Sequence, residues 1–114
     1  MKKIFLILTL FTFYGSVKAE IPLEGEYRLA GPLEYQGNTK PGKSHLYITL
    51  TNDSAKKLFD SFEGEAVMNE CTGMKYKSRG YVICHEVEPG KKYFCSFSID
   101  MDKNTVSGGL GGCF

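Results

Sequence analysis

The sequence predicts an α+β domain: an antiparallel meander of about five or six strands, one short helix packed on it, and two disulfides. Three observations predict it. Ser44–Thr51 and Lys92–Asp100 alternate apolar and polar residues with the period of a half-buried strand. Between them Ala55, Leu58, Phe59 and Phe62 recur at three- and four-residue spacing, one apolar stripe of a helix. Four cysteines, Cys71, Cys84, Cys95 and Cys113, all fall in the last 44 of 114 residues.

The chain opens on Lys2 and Lys3, runs apolar from Ile4 to Tyr14 and reaches Val17-Lys18-Ala19. A basic start, a short apolar core and small residues at V-x-A are the pattern of a cleaved export signal over residues 1–19. The apolar run is too short for a bilayer, which needs roughly 17–25 residues, so no membrane span is expected after cleavage. The expected product is one small disulfide-bonded domain, residues 20–114, in the periplasm or secreted. Lys2, Lys3 and Lys18 leave with the signal, reducing fourteen basic residues to eleven against thirteen acidic ones. A net charge near −2 without a basic face argues against a nucleic-acid partner.

From Glu20 to Lys43 turn formers punctuate the chain, with one short strand expected over Glu26–Ala30. In Ser44–Thr51, Leu46, Ile48 and Leu50 share one face and His45, Tyr47, Thr49 and Thr51 the other. Asn52-Asp53-Ser54 offers side-chain oxygens for a helix N-cap, and Gly64 supplies the stop, giving about nine or ten helical residues. After Cys71 the chain reads as hairpins. A turn at Ser78-Arg79-Gly80 joins Met74–Lys77 to Tyr81–Glu86, and Glu88-Pro89-Gly90-Lys91 leads into Lys92–Asp100. Asp102-Lys103-Asn104 turns into a glycine-rich final strand. The expected core is Phe59, Phe62, Leu46, Ile48, Leu50, Val82, Phe97 and Ile99.

Even cysteine numbers in a short exported chain imply disulfides. Gaps of 13, 11 and 18 residues lack the close pairs of a zinc site. In a meander, joining Cys84 to Cys95 strands Cys71 and Cys113 at opposite edges, beyond disulfide reach. The favoured pairs are therefore Cys71–Cys84 and Cys95–Cys113. Cys84–Cys95 with Cys71–Cys113 is the alternative if the sheet curls shut, and the crossed pattern comes last.

Catalytic and metal-binding signals are weak. His85 follows Cys84, but neighbours in a strand point to opposite faces, and a disulfide leaves no nucleophile; His45 stands alone. Asp100-x-Asp102-x-Asn104 has the opening of a calcium loop, but Thr105 and Gly111 stand where glycine and a bidentate glutamate are required. Gly108–Gly112 has no Lys-Ser/Thr pair or following helix to make a phosphate loop. Glu63, Glu65 and Glu70 read as acidic residues at a helix end, not a glycosidase pair. No catalytic residue, cofactor or metal is expected.

Tyrosine is enriched, and Tyr47, Tyr76 and Tyr81 are the candidate contact residues because tyrosine joins large area to a hydrogen-bonding tip. The expected function is a non-catalytic exported binding protein, an inhibitor or immunity-type protein acting on another protein in the envelope or outside the cell. The alternatives are an accessory subunit of an envelope or secretion complex, and a small cell-envelope hydrolase.

Overall fold

The computed structural model describes residues 22–35 and 38–110; residues 1–19, where the export signal is expected, Gly111–Gly112 and Cys113 lie outside them. The described chain is mostly antiparallel sheet with one short helix, an α+β fold. Its strands are β1 (Gly25–Ala30), β2 (Leu33–Tyr35), β3 (Asn38–Thr39), β4 (His45–Thr51), β5 (Val67–Met68), β6 (Lys75–Arg79), β7 (Val82–Glu88), β8 (Lys92–Asp100) and β9 (Thr105–Ser107). The helix α1 spans Asn52–Ser61. Seven strands form the main sheet, in the order β1-β4-β8-β7-β6-β5, with β9 also paired to β8; β2 and β3 make a separate hairpin.

Strand β8 is the hub. Thr51 to His45 pair along one side of it from Phe94 to Asp100. On its other side β7 pairs its first half and β9 its last three residues, so β7 and β9 lie end to end. β5 to β8 form the expected meander, but β4 pairs with β8, because α1 carries the chain across the sheet between β4 and β5. The β6–β7 connection is tighter than expected. Arg79 pairs directly with Val82, leaving Gly80-Tyr81 as a two-residue turn with Gly80 at φ +60°, a conformation that glycine reaches without strain.

The face of β8 bearing Tyr93, Cys95, Phe97 and Ile99 is the one α1 sits on, as its alternation implies. The buried cluster is Leu50, Ala55, Phe59, Phe62, Cys84, Tyr93 and Cys95. Of the expected core, Phe59, Phe62 and Leu50 are buried; Ile48 and Val82 pack half-buried against them. Leu46, Phe97 and Ile99 are only half-buried and lie outside the cluster, a correction with a simple cause. Ten helical residues span about 15 Å, too little to cover a face several strands wide at ~4.8 Å per strand.

Two further expectations are corrected. No side chain caps the helix; Thr51 is its N-cap residue. The Ser54 hydroxyl instead accepts a hydrogen bond from the Glu24 amide at 2.8 Å, and Asn52 Nδ2 donates to the Glu24 carboxylate at 3.1 Å. Both tie the lead into β1 to the start of α1. The favoured pairing Cys71–Cys84 with Cys95–Cys113 is overturned: Cys84 and Cys95 are joined, directly opposite on β7 and β8 with Cα atoms 3.9 Å apart. The flaw lay in placing Cys71 on a strand. It sits in a turn where its amide and that of Thr72 bond to Asn69 Oδ1, off the β5–β6 pair, so sheet spacing does not limit its reach.

Phe59 is 5% exposed, its ring 5.0 Å from Tyr93 and 4.7 Å below Lys77 Nζ. Phe59→Ala should lower the unfolding free energy by about 3–5 kcal/mol. Lys57, exposed and paired with Asp53 at 3.0 Å, should tolerate alanine within ~0.5 kcal/mol. Urea denaturation of both variants checks this; equal losses would mean that the wrong helix face is buried.

Candidate functional site

The sheet register arranges the helix-side face in rows. Leu29, Leu46, Ile99 and Val106 form one row across β1, β4, β8 and β9. Tyr27, Ile48 and Phe97 form the next, and Gly25, Leu50, Cys95 and Cys84 the third. The helix lies over the third row and beyond. The first two stay open: Tyr27 is 74% exposed, and Leu29 and Val106 are each 46% exposed. A shallow groove of roughly 270 Å³ runs between Leu23, Gly25, Tyr27, Leu46 and Ile48. This uncovered apolar half-face is the first candidate site, since large exposed apolar patches mark contact surfaces.

The opposite face is polar, and several of its side chains are buried. Tyr47 is buried there, and its hydroxyl donates to the Gly31 carbonyl at 2.7 Å; burial raises the pKa of that phenol. Ser98 Oγ donates to the Gly108 carbonyl at 2.7 Å, and Gly109 lies so close to the Ser96–Phe97 backbone that any side chain there would clash. His85 is 2% exposed, stacked 4.6 Å from Phe94 and tilted against Tyr76. Its Nδ1 is the one buried side-chain polar atom among the described residues without a hydrogen-bond partner. Burial lowers its pKa.

The three sequence-selected tyrosines do not converge. Tyr47 is 2% exposed, its hydroxyl committed to Gly31. Tyr76 is half-buried beside His85, and Tyr81 is 63% exposed at the β6–β7 turn. Tyr27, not selected from sequence, is the tyrosine on the open apolar face. No composition signal marks it; only the length of α1, set against the width of the sheet, gives its exposure.

A second constellation was not visible in the sequence. His45 is not alone: its Nδ1 shares a 2.7 Å hydrogen bond with Ser44 Oγ, and its Nε2 lies 3.5 Å from Asp100 Oδ2. The order Ser–His–Asp is that of a hydrolase relay, in which the imidazole takes the serine proton and the carboxylate holds the ring. Here Asp100 also serves a turn, its Oδ1 accepting the amides of Asp102 and Lys103 at 3.1 Å each. That role accounts for the calcium-like Asp100-x-Asp102-x-Asn104 run: the carboxylate shapes the turn before β9. The groove beside Leu23 and Tyr27 is lined by none of Ser44, His45 and Asp100.

The buried His85 makes a pH prediction. Its folded-state pKa is depressed, so the unfolded chain binds more protons, and stability falls as pH drops through about 6.5, the ordinary histidine value. His85→Phe keeps the stack on Phe94 and removes the titrating group. Denaturant midpoints at about pH 8 and about pH 5 should differ less in this variant than in the parent chain; equal differences would refute the assignment.

No family model, curated protein or solved structure matches this chain.

Proposed function

We propose that this chain is a small exported, non-catalytic binding protein that acts on another protein through the uncovered half of its apolar sheet face. The observation that carries the reading is the mismatch between sheet and helix. Among the described residues, two cross-strand rows, Leu29–Leu46–Ile99–Val106 and Tyr27–Ile48–Phe97, have the composition of a core, yet only Ile48 of them packs against the cluster under the helix. A flat apolar surface with tyrosine at its border gives a partner area to bury and an anchor to hold. An inhibitor or immunity-type protein fits this build. An accessory subunit of an envelope complex would use the same face in a permanent contact. Export would be directed by residues 1–19, and a second disulfide, Cys71–Cys113, would tie the C-terminal residues to the β5–β6 turn; peptide mapping under non-reducing conditions tests that link.

The Ser44–His45–Asp100 line favours a second reading, a small hydrolase. The two separate cleanly. Affinity capture from the native envelope with the full chain should return a partner, and Val106→Asp should weaken its binding about tenfold or more while leaving the melting temperature unchanged. Ser44→Ala should leave binding intact. Loss of the protein's effect in Ser44→Ala with Val106→Asp silent would reverse the assignment in favour of the hydrolase.

A further inference from the structure

The main path of the sheet ends in two unlike edges, and the three-residue β9 beside β8 is a further short one. β5 has only two residues, and short edge strands are one way natural sheets avoid pairing with other chains. β1 has six, Gly-Glu-Tyr-Arg-Leu-Ala, five of them exposed, and its charged residues are one acid and one base, Glu26 and Arg28. The direction of its backbone follows from one hydrogen bond. The Thr51 amide donates to the Glu24 carbonyl at 3.1 Å, and in an antiparallel strand alternate residues turn both backbone groups the same way. Glu26 and Arg28 thus bond to β4, while Gly25, Tyr27 and Leu29 point N–H and C=O outward, away from the sheet.

We propose that a second copy of this chain occupies that edge, the two β1 strands pairing antiparallel about a two-fold axis at Tyr27. The sequence of the strand is self-complementary about that residue. Tyr27 meets Tyr27 of the other copy as a hydrogen-bonded pair, exchanging the outward N–H and C=O groups. Glu26 falls opposite Arg28 of the other copy and Arg28 opposite its Glu26, two opposite-charge cross-strand pairs. Within one copy neither side chain has an ion-pair partner among the described residues. On the helix-side face, Leu29 of the other copy comes opposite Gly25, which has no side chain and lines the apolar groove with Leu23, Leu46 and Ile48. The leucine side chain then lies at the edge of that groove. The isologous contact closes on itself and joins two seven-stranded sheets into one.

Sedimentation equilibrium of the full chain, purified in the form the cell leaves it, should show a monomer–dimer equilibrium. Arg28→Glu places two acidic pairs across the axis, and Glu26→Arg two basic pairs; each should raise the dimer Kd about tenfold or more. The combined Glu26→Arg/Arg28→Glu chain restores both pairs and should recover the dimer. All three variants should melt with the parent monomer, since both side chains are exposed in a single copy. A monomer at every concentration overturns the proposal, whether the edge is then bare, taken by a foreign strand or covered by residues 1–21. So does a dimer indifferent to the single reversals, or one not recovered by the double. The measurement contains no target protein, so its failure leaves the binding reading standing, and failure of that reading leaves the dimer untouched.

Discussion

Everything in this fold is arranged around the contact between α1 and the Cys84–Cys95 cross-link. Ala55, Cys84 and Cys95 are each fully buried, and the Ala55 carbonyl oxygen lies 3.4 Å from Cys95 Sγ, a van der Waals approach because a disulfide sulfur has no proton to donate. A methyl at position 55 lets the helix backbone settle onto the disulfide. That settles which end of the sheet is covered: Phe59 then packs on Tyr93 with Lys77 Nζ over its ring, and Lys77 Nζ donates to the Phe62 carbonyl at 3.2 Å. The same placement leaves the Tyr27 and Leu29 rows beyond the helix. Covering one end and exposing the other are a single decision, made by helix length and anchoring point.

The central strand explains the other face. β8 is long enough to serve β7 and β9 in series on one side while β4 runs along the other. After β9 the chain turns across the polar face, held by Ser98 Oγ on the Gly108 carbonyl and by the absence of a side chain at Gly109. Tyr47 on Gly31 closes that face nearer to β1. Tyr47, Ser98 and Asp100 are buried there at little cost because each finds a backbone partner. His85 is the exception, with rings on both sides of its imidazole and nothing for Nδ1.

Much of this was legible in the sequence, and the misses share a cause. Strand periodicity placed β4 and β8 and assigned their faces correctly, because residues two apart must share a face. The helix stripe was equally plain: Ala55, Phe59 and Phe62 are buried as their spacing requires. What periodicity cannot report is how far the covering layer extends, so Leu46, Phe97 and Ile99 read as core although α1 never reaches them. Nor can it report pairings distant in sequence. The Ser44–His45–Asp100 line joins residues more than fifty positions apart, and it exists because β4 and β8 pair in the register that sets His45 opposite Asp100. The disulfide error belongs to the same class, since Cys71 was given a strand position that the Asn69 turn denies it. Tyr47 read as a contact residue for its chemistry alone, and its burial depends on the Gly31 fold-back, which alternation does not encode.

The two faces therefore divide the work by physical type. The polar face, His85 Nδ1 apart, commits its buried hydroxyls to the backbone carbonyls of Gly31 and Gly108, which leaves those hydroxyls little to offer another chain. The apolar half-face has the reverse property: its side chains gain from any complementary surface that removes them from water, about 25 cal/mol per Å² of area. An edge strand adds directional backbone groups to that undirected attraction, and Gly25 sits where edge and groove meet. Selectivity on such a surface comes less from the apolar rows than from what borders them. Here the border is Glu26, Arg28 and the outward amides of β1, the groups able to discriminate one incoming strand from another.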